Sequence, residues 1–279
     1  MSFTFTLDPM TLAVLVGAML AAGAAAGFVA GLLGVGGGIV VVPAVFQALA
    51  FVEHDPATRM HIAVGTSLAT IVPTALRSAR AHHQRGAVDG ALLKSWGPAV
   101  LAGVALGTAL ASVAAGAVLS GVFGTFAVVV AIYMAGFGQH ARLSDHLPGQ
   151  PLKSGLGAGI GMISSMVGIG GGTLSVPTLT LCGYPMRRAV GTAAALGLVI
   201  AVPGAMGFVL SGWGVPGRPP LSLGYINLVA LAAIIPTTVW IAPLGARVAH
   251  TIPQTALRLA FAGFLLLVGG RMLVQTFGT

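Results

Sequence analysis

The chain has 279 residues, of which 56% are hydrophobic and only 6% charged, with a mean hydropathy of +0.99. A soluble domain carries roughly 25% charged residues, so this composition excludes one and points to a bilayer. The net charge of +8 does not indicate nucleic acid, because the thirteen Lys and Arg are spread thinly between apolar stretches without a basic face or interleaved aromatics.

Ten apolar segments are marked off by polar residues, glycine and proline. In chain order they are 10–33, 35–52, 60–79, 91–113, 117–138, 153–168, 170–184, 188–211, 222–245 and 254–276. No Lys or Arg precedes the first, and it runs longer than the core of a signal peptide, so it reads as a retained helix. The expected architecture is an all-α polytopic membrane protein of ten segments. Residues 1–140 form a first repeat, 141–152 an inner linker and 153–279 a second repeat.

Two glycine motifs interrupt this pattern. Gly34-Val35-Gly36-Gly37-Gly38 is followed by Pro43, and Gly168-Ile169-Gly170-Gly171-Gly172 by Pro177. The segments after them are short for a span of about 20 residues. Other pairs match between the halves: Ala63-Val64-Gly65-Thr66-Ser67 with Ala189-Val190-Gly191-Thr192-Ala193, and Leu106-Gly107 with Leu244-Gly245. Five segments per repeat is odd, so the halves enter the membrane in opposite directions. Paired helix breaks in such inverted repeats point to a binding site near the midplane.

Ten spans with the N-terminus outside place Arg77, Arg80, Arg85, Lys94, Arg142, Lys153, Arg187, Arg188, Arg247 and Arg258 on or toward the inner side. Only Arg59, Arg218 and Arg271 fall outside. That asymmetry obeys the positive-inside rule better than an eight-span count.

The glycine motifs are not nucleotide loops. Ile39 and Thr173 stand where G-x-G-x-x-G needs its third glycine, and no Lys-Ser/Thr follows. Close packing through small residues is one reading. Three glycines and a fixed proline, repeated, favour backbone breaks lining a substrate path, with Pro43 and Pro177 as helix breakers. A broken helix turns free N–H groups and the positive end of its dipole toward an anion. The candidate binding residues are therefore Gly36, Gly37, Gly38, Gly170, Gly171 and Gly172. The hydroxyls of Thr66, Ser67 and Thr192 are added donors, unless each bonds back to its own helix. Arg77, Arg80 and Arg187, with Arg85 and Arg188, either funnel anions to the inner mouth or anchor the topology.

The acids Asp8, Glu53, Asp55, Asp89 and Asp145 all fall in termini or loops, which argues against a proton or cation relay. His82-His83 lacks an acidic neighbour and reads as a solvated pair rather than a metal site. With Cys182 as the single cysteine, an intrachain disulfide and a Cys-based metal cluster are excluded, and no cofactor is expected. No His-Glu-x-x-His, Gly-x-Ser-x-Gly or paired membrane aspartate suggests an enzyme. A negative substrate fits this inventory, since leaving an inside-negative cell yields roughly 2.3 kcal/mol per 100 mV for a monoanion.

On these residues the chain resembles the sulfite exporter TauE/SafE family. The resemblance rests on the doubled G-x-G-G-G-x-x-x-V-P pattern, Gly34 to Pro43 and Gly168 to Pro177. Gly65-Thr66-Ser67 and Leu244-Gly245-Ala246-Arg247 add to it. It implies transport of sulfite, sulfoacetate or another sulfonate, and leaves the substrate and direction open. Ala193 departs from the pattern where the first half has Ser67, so the half-sites are chemically unequal. The leading expectation is an exporter in the bacterial inner membrane working by alternating access on a small anion. The alternatives are a passive anion channel or an uptake permease of the same fold, and a membrane assembly partner without transport. The bilayer and the anion are the expected partners, with no nucleic acid.

Overall fold

The computed structural model describes residues 9–33, 37–50, 56–136, 144, 146–249 and 253–277. Ten α-helices follow one another: α1 (Pro9–Leu33), α2 (Gly38–Ala50), α3 (Pro56–Gln84), α4 (Gly90–Val113), α5 (Gly116–Gly136), α6 (Leu152–Val167), α7 (Gly171–Leu181), α8 (Met186–Ser211), α9 (Leu228–Ala249) and α10 (Gln254–Phe277). A two-residue antiparallel pair, β1 (Ser222–Leu223) with β2 (Ile226–Asn227), caps the bundle between α8 and α9.

Each apolar segment becomes one helix, with two notable boundary shifts. α3 runs past the apolar stretch 60–79 to Gln84, because the Arg, Ala and Gln residues there hold a helix even where hydropathy falls. The stretch from 222 begins as the β-pair instead. Leu221 and Gly224 take φ of 58° and 57°, which turns the chain before α9 starts at Leu228.

α3, α4, α5, α8 and α10 are long and apolar enough to cross a bilayer. α2 has 13 residues and α7 has 11. At 1.5 Å per residue they reach only about 20 Å and 16 Å, short of a hydrocarbon core of about 30 Å. Both are half-helices.

The proline assignment needs correcting. Pro43 and Pro177 do not end helices: α2 runs through Pro43 and α7 through Pro177. The interruptions are at the glycines before them. Each proline instead deletes its own N–H and frees a carbonyl one turn back, that of Ile39 or Thr173, a cost that neighbouring helices in a bundle absorb.

The helix pairings follow a rule of exchange between the halves. α1 lies on α9 as α4 lies on α6; α2 lies on α3 as α7 lies on α8; α3 meets α8, and α5 meets α10. Replacing each helix by the one five places along reproduces the set. The small residues between helices give the directions. Gly23 and Gly27 of α1 abut Ile234 and Thr238 of α9, a parallel contact. Gly157 and Gly161 of α6 abut Trp96 and Val100 of α4, also parallel. Gly65 meets Phe208 and Gly197 meets Ala75, so α3 and α8 are antiparallel, as are α5 and α10 through Gly121 with Phe277 and Gly124 with Leu273.

The core lies where α3 and α8 cross, with Val64, Leu68, Leu196 and Ile200 fully buried beside Val42 of α2. Among the described residues no Asp, Glu, Lys or Arg is buried there.

Candidate functional site

Gly168 ends α6 with φ of 75°, a left-handed conformation that favours glycine. Its N–H and that of Ile169 both donate to the Ser164 carbonyl at 3.0 Å. Gly170 then extends the chain and caps α7 without any side-chain hydrogen bond. In the first half, Gly37 closes the turn into α2, its carbonyl accepting from Val40 and Val41 at 3.0 Å each. Gly36, with Gly34 and Val35, lies outside the described residues.

The two breaks meet. A Cβ on Gly38 would stand 2.7 Å from the Gly168 carbonyl oxygen and 3.1 Å from Ile169 Cα, so only glycine permits this approach. A Cβ on Gly171 would stand 2.6 Å from the Ala193 carbonyl oxygen of α8. Gly37 lies against Ala26 of α1, and Gly170 faces Ile71 of α3. Gly172 sits half-buried in the first turn of α7.

Ser67 ties this junction together. Its hydroxyl donates to the Gly168 carbonyl at 2.7 Å and lies 3.4 Å from the Gly38 carbonyl. The matching residue of α8, Ala193, has no hydroxyl, so the tie exists on one side.

Thr66 and Thr192 serve elsewhere. Thr66 Oγ1 accepts from the backbone N–H of Asn227 at 3.0 Å, and Thr192 Oγ1 accepts from that of Asp89 at 3.0 Å. Asn227 and Asp89 occupy equivalent places. Asn227 Oδ1 accepts from Ala230 N at 2.8 Å before α9, and Asp89 Oδ1 from Leu92 N at 2.9 Å before α4. The preceding glycines make room: a Cβ on Gly65 would meet the Tyr225 carbonyl at 2.7 Å, and one on Gly191 the Ala87 carbonyl at 2.5 Å. The repeated Gly-Thr pair is thus a docking point for the start of the next half's α9 or α4.

Arg77 and Arg80 stand exposed on the last turns of α3. Arg187, at the start of α8, reaches the Arg85 carbonyl at 3.5 Å. Arg188 lies 3.4 Å from Asp89 Oδ2, to which the Tyr184 hydroxyl also donates at 2.6 Å. That hydroxyl bond, and then the Leu92 N–H, hold the Asp89 carboxyl below its ordinary range. Burial, then the same bond to Asp89, pushes the Tyr184 phenol up to about 12.

Sequence reasoning missed the roles of two pairs. Asp89 and Tyr184 join the halves at the arginine-rich end. Ser164 and Ser175 flank the second break, one helical turn before Gly168 and one after Gly171, and were legible only as serines at that spacing.

The profile of the sulfite exporter TauE/SafE family matches residues 19–272. The chain belongs to that family. A probable membrane transporter protein of Haemophilus influenzae is 35% identical over 260 residues, 92% of this chain and 97% of the relative. One of Methanocaldococcus jannaschii is 25% identical over 262 residues, covering 89% and 93%. One of Bacillus subtilis is 24% identical over 253 residues, covering 86% and 96%. No solved structure matches the chain. This TauE/SafE protein is a multi-pass membrane transporter.

Proposed function

We propose that the protein exports a small sulfur-containing anion, sulfite or an organosulfonate, across the bacterial inner membrane by alternating access. The observation that carries this reading is the meeting of the two breaks. Gly38, Gly168 and Ser67 come together from α2, the end of α6 and α3, deep in the bundle and away from buried charge. Neutral backbone donors at the starts of α2 and α7 suit an anion that needs no buried cation.

The exchange rule of the helix pairings supports reading the halves as inverted repeats. The antiparallel α3–α8 crossing would then be the axis about which they rock. The substrate would sit between Gly36, Gly37 and Gly38 and Gly170, Gly171 and Gly172. Ser67 would be released toward it as the halves separate. Arg77, Arg80 and Arg187 crowd the end that the positive-inside rule assigns to the cytoplasm, where they raise the local anion concentration.

The test is flux into proteoliposomes under an imposed potential, with labelled sulfite, sulfoacetate, taurine, sulfate and chloride. Saturable, potential-driven flux of a sulfur oxyanion with chloride excluded is the expected result. Chloride flux alone, or conductance far above carrier rates, would replace the exporter with a channel.

A further inference from the structure

Hydroxyls in membrane helices ordinarily bond back to their own helix. The neighbours of the second break do so: Ser165 donates to Met162 O at 3.0 Å, Thr178 to Leu174 O at 2.8 Å and Thr180 to Val176 O at 3.0 Å. Ser164 and Ser175 do not. Both are fully buried, and neither hydroxyl has a hydrogen-bond partner. A buried hydroxyl left unmade is costly and rare, and two flanking one backbone break call for a reason.

Their place narrows that reason. The carbonyl of Ser164 takes both N–H groups of the turn at Gly168, so Ser164 belongs to the break itself. Ser175 shares with Gly171 the buried stripe of α7 that continues to Leu179. Between them lie Gly170 and the start of α7, with no side-chain cap. The corresponding positions of the first half, counted from the glycine motif, are Ala30 and Val41. The first half spends its hydroxyl, Ser67, on closing the junction; the second half keeps two unspent.

We propose that Ser164 and Ser175 are substrate-binding residues, the hydroxyl donors that the second half presents to a singly charged S–O head group when the junction opens. This rests on the transport reading above and names its selective side. Neutral donors without a buried cation suit one negative charge spread over several oxygens, as in hydrogen sulfite or a simple sulfonate. A dianion such as sulfate would need counter-charge to leave water.

Removal of an unpaired buried hydroxyl is neutral or stabilising to the fold, whereas removal of a ligand donor weakens binding. The two roles therefore separate. In proteoliposomes, Ser164→Ala and Ser175→Ala should each raise KM for hydrogen sulfite and methanesulfonate by on the order of tenfold, a hydrogen bond to a charged group being lost. Thermal unfolding of the purified variants should occur at or above the wild-type temperature. The rise in that temperature on adding sulfite should shrink. Ser164→Cys and Ser175→Cys, near in size with a weak donor, should fall between. Ser165→Ala, whose hydroxyl is already satisfied, should leave KM unchanged. Wild-type KM in the alanine variants, or a drop in their unfolding temperature, would overturn the proposal while leaving the exporter standing. Absence of any sulfur-anion flux in the wild type would overturn both.

Discussion

Ser67 and Gly168 lie 101 residues apart in sequence, yet the hydroxyl of one donates to the carbonyl of the other at 2.7 Å. This bond crosses from α3 of the first half to the break of the second, and Ser67 is fully buried. Ser67→Ala would leave the Gly168 carbonyl unpaired at a cost of about 1–3 kcal/mol. The expected outcome is a lower unfolding temperature in detergent. If the junction opens during transport and frees this hydroxyl toward the substrate, the same change should favour the open state, altering kcat, and also raise KM.

The glycines of the breaks are distinguished from other glycines by what a methyl group would strike. On Gly38 it meets the backbone of Gly168 and Ile169, and on Gly171 that of Ala193 and Gly197. Backbone does not move aside as a side-chain tip does, so Gly38→Ala and Gly171→Ala should abolish transport and lower stability. Gly159 of α6 has nothing within 4 Å of such a methyl. There alanine should stabilise the helix by roughly 1 kcal/mol and leave flux intact. Equal loss in all three would detach the effect from the breaks.

Thr66 and Thr192 make a matched pair. Each accepts one backbone N–H at the start of a helix from the other half of the exchange, Asn227 before α9 and Asp89 before α4. Thr66→Val and Thr192→Val keep the shape and remove the acceptor, at about 1–3 kcal/mol each for the unpaired N–H. Thr→Ser at either position restores the oxygen and should recover most of the loss in unfolding temperature. Failure of serine to rescue would assign the loss to the missing methyl.

The sequence made the ten apolar segments and the doubled glycine motif plain because both are local patterns of hydropathy and spacing. The recurrence of Gly-Thr at 65–66 and 191–192 was equally visible, but its use was not. Hydrogen bonds to Asn227 and Asp89 join residues 161 and 103 apart, which no local pattern encodes. Pro43 and Pro177 misled for a related reason. Proline is disfavoured inside an isolated helix, yet α2 and α7 carry it, as α3, α4 and α8 carry Pro73, Pro98 and Pro203, because the bundle satisfies what each ring leaves open. Asp89 looked like a solvated loop acid. Its role as helix cap and partner of Tyr184 and Arg188 depends on the α7–α8 loop folding back onto α4.

At Asp89 the capping and charge roles separate by substitution. Asp89→Asn keeps an N-cap of the kind Asn227 provides and loses the pair with Arg188, whose side chain is 54% exposed, at a cost below about 1 kcal/mol. It also puts an amide NH2 that donates where Oδ2 accepted from the Tyr184 hydroxyl. Asp89→Ala removes the cap as well and leaves the Tyr184 hydroxyl without its acceptor, adding about 0.5–2 kcal/mol. The pH dependence follows from the shifts. The carboxyl is held below its ordinary 3.8, so its contribution is whole above that value and lost as pH falls through the lower folded one. The phenol is raised from 10.0 to about 12, so its contribution is whole below 10.0 and lost as pH climbs toward 12. Between about pH 5 and 9 this junction should be indifferent, and thermal unfolding across that range in wild type and Asp89→Asn should run parallel. Divergence inside the window would show another titrating partner.

The helix directions place Gln84 and Pro216 at opposite ends of the bundle, the first at the end of α3 and the second beyond α8, both exposed. Arg77, Arg80, Arg85, Lys94, Lys153, Arg187 and Arg188 gather at the Gln84 end, while Arg59 and Arg218 stand at the other. By the positive-inside rule, Gln84 is expected in the cytoplasm and Pro216 outside. In a Cys182→Ser background, Gln84→Cys should react with an impermeant maleimide only in inverted vesicles, and Pro216→Cys only in intact cells. Labelling of both from one side would break the antiparallel α3–α8 arrangement on which the inverted-repeat reading depends. Reversal of both would keep the repeat and turn the arginine-rich mouth outward, making an uptake permease the better reading of the same site.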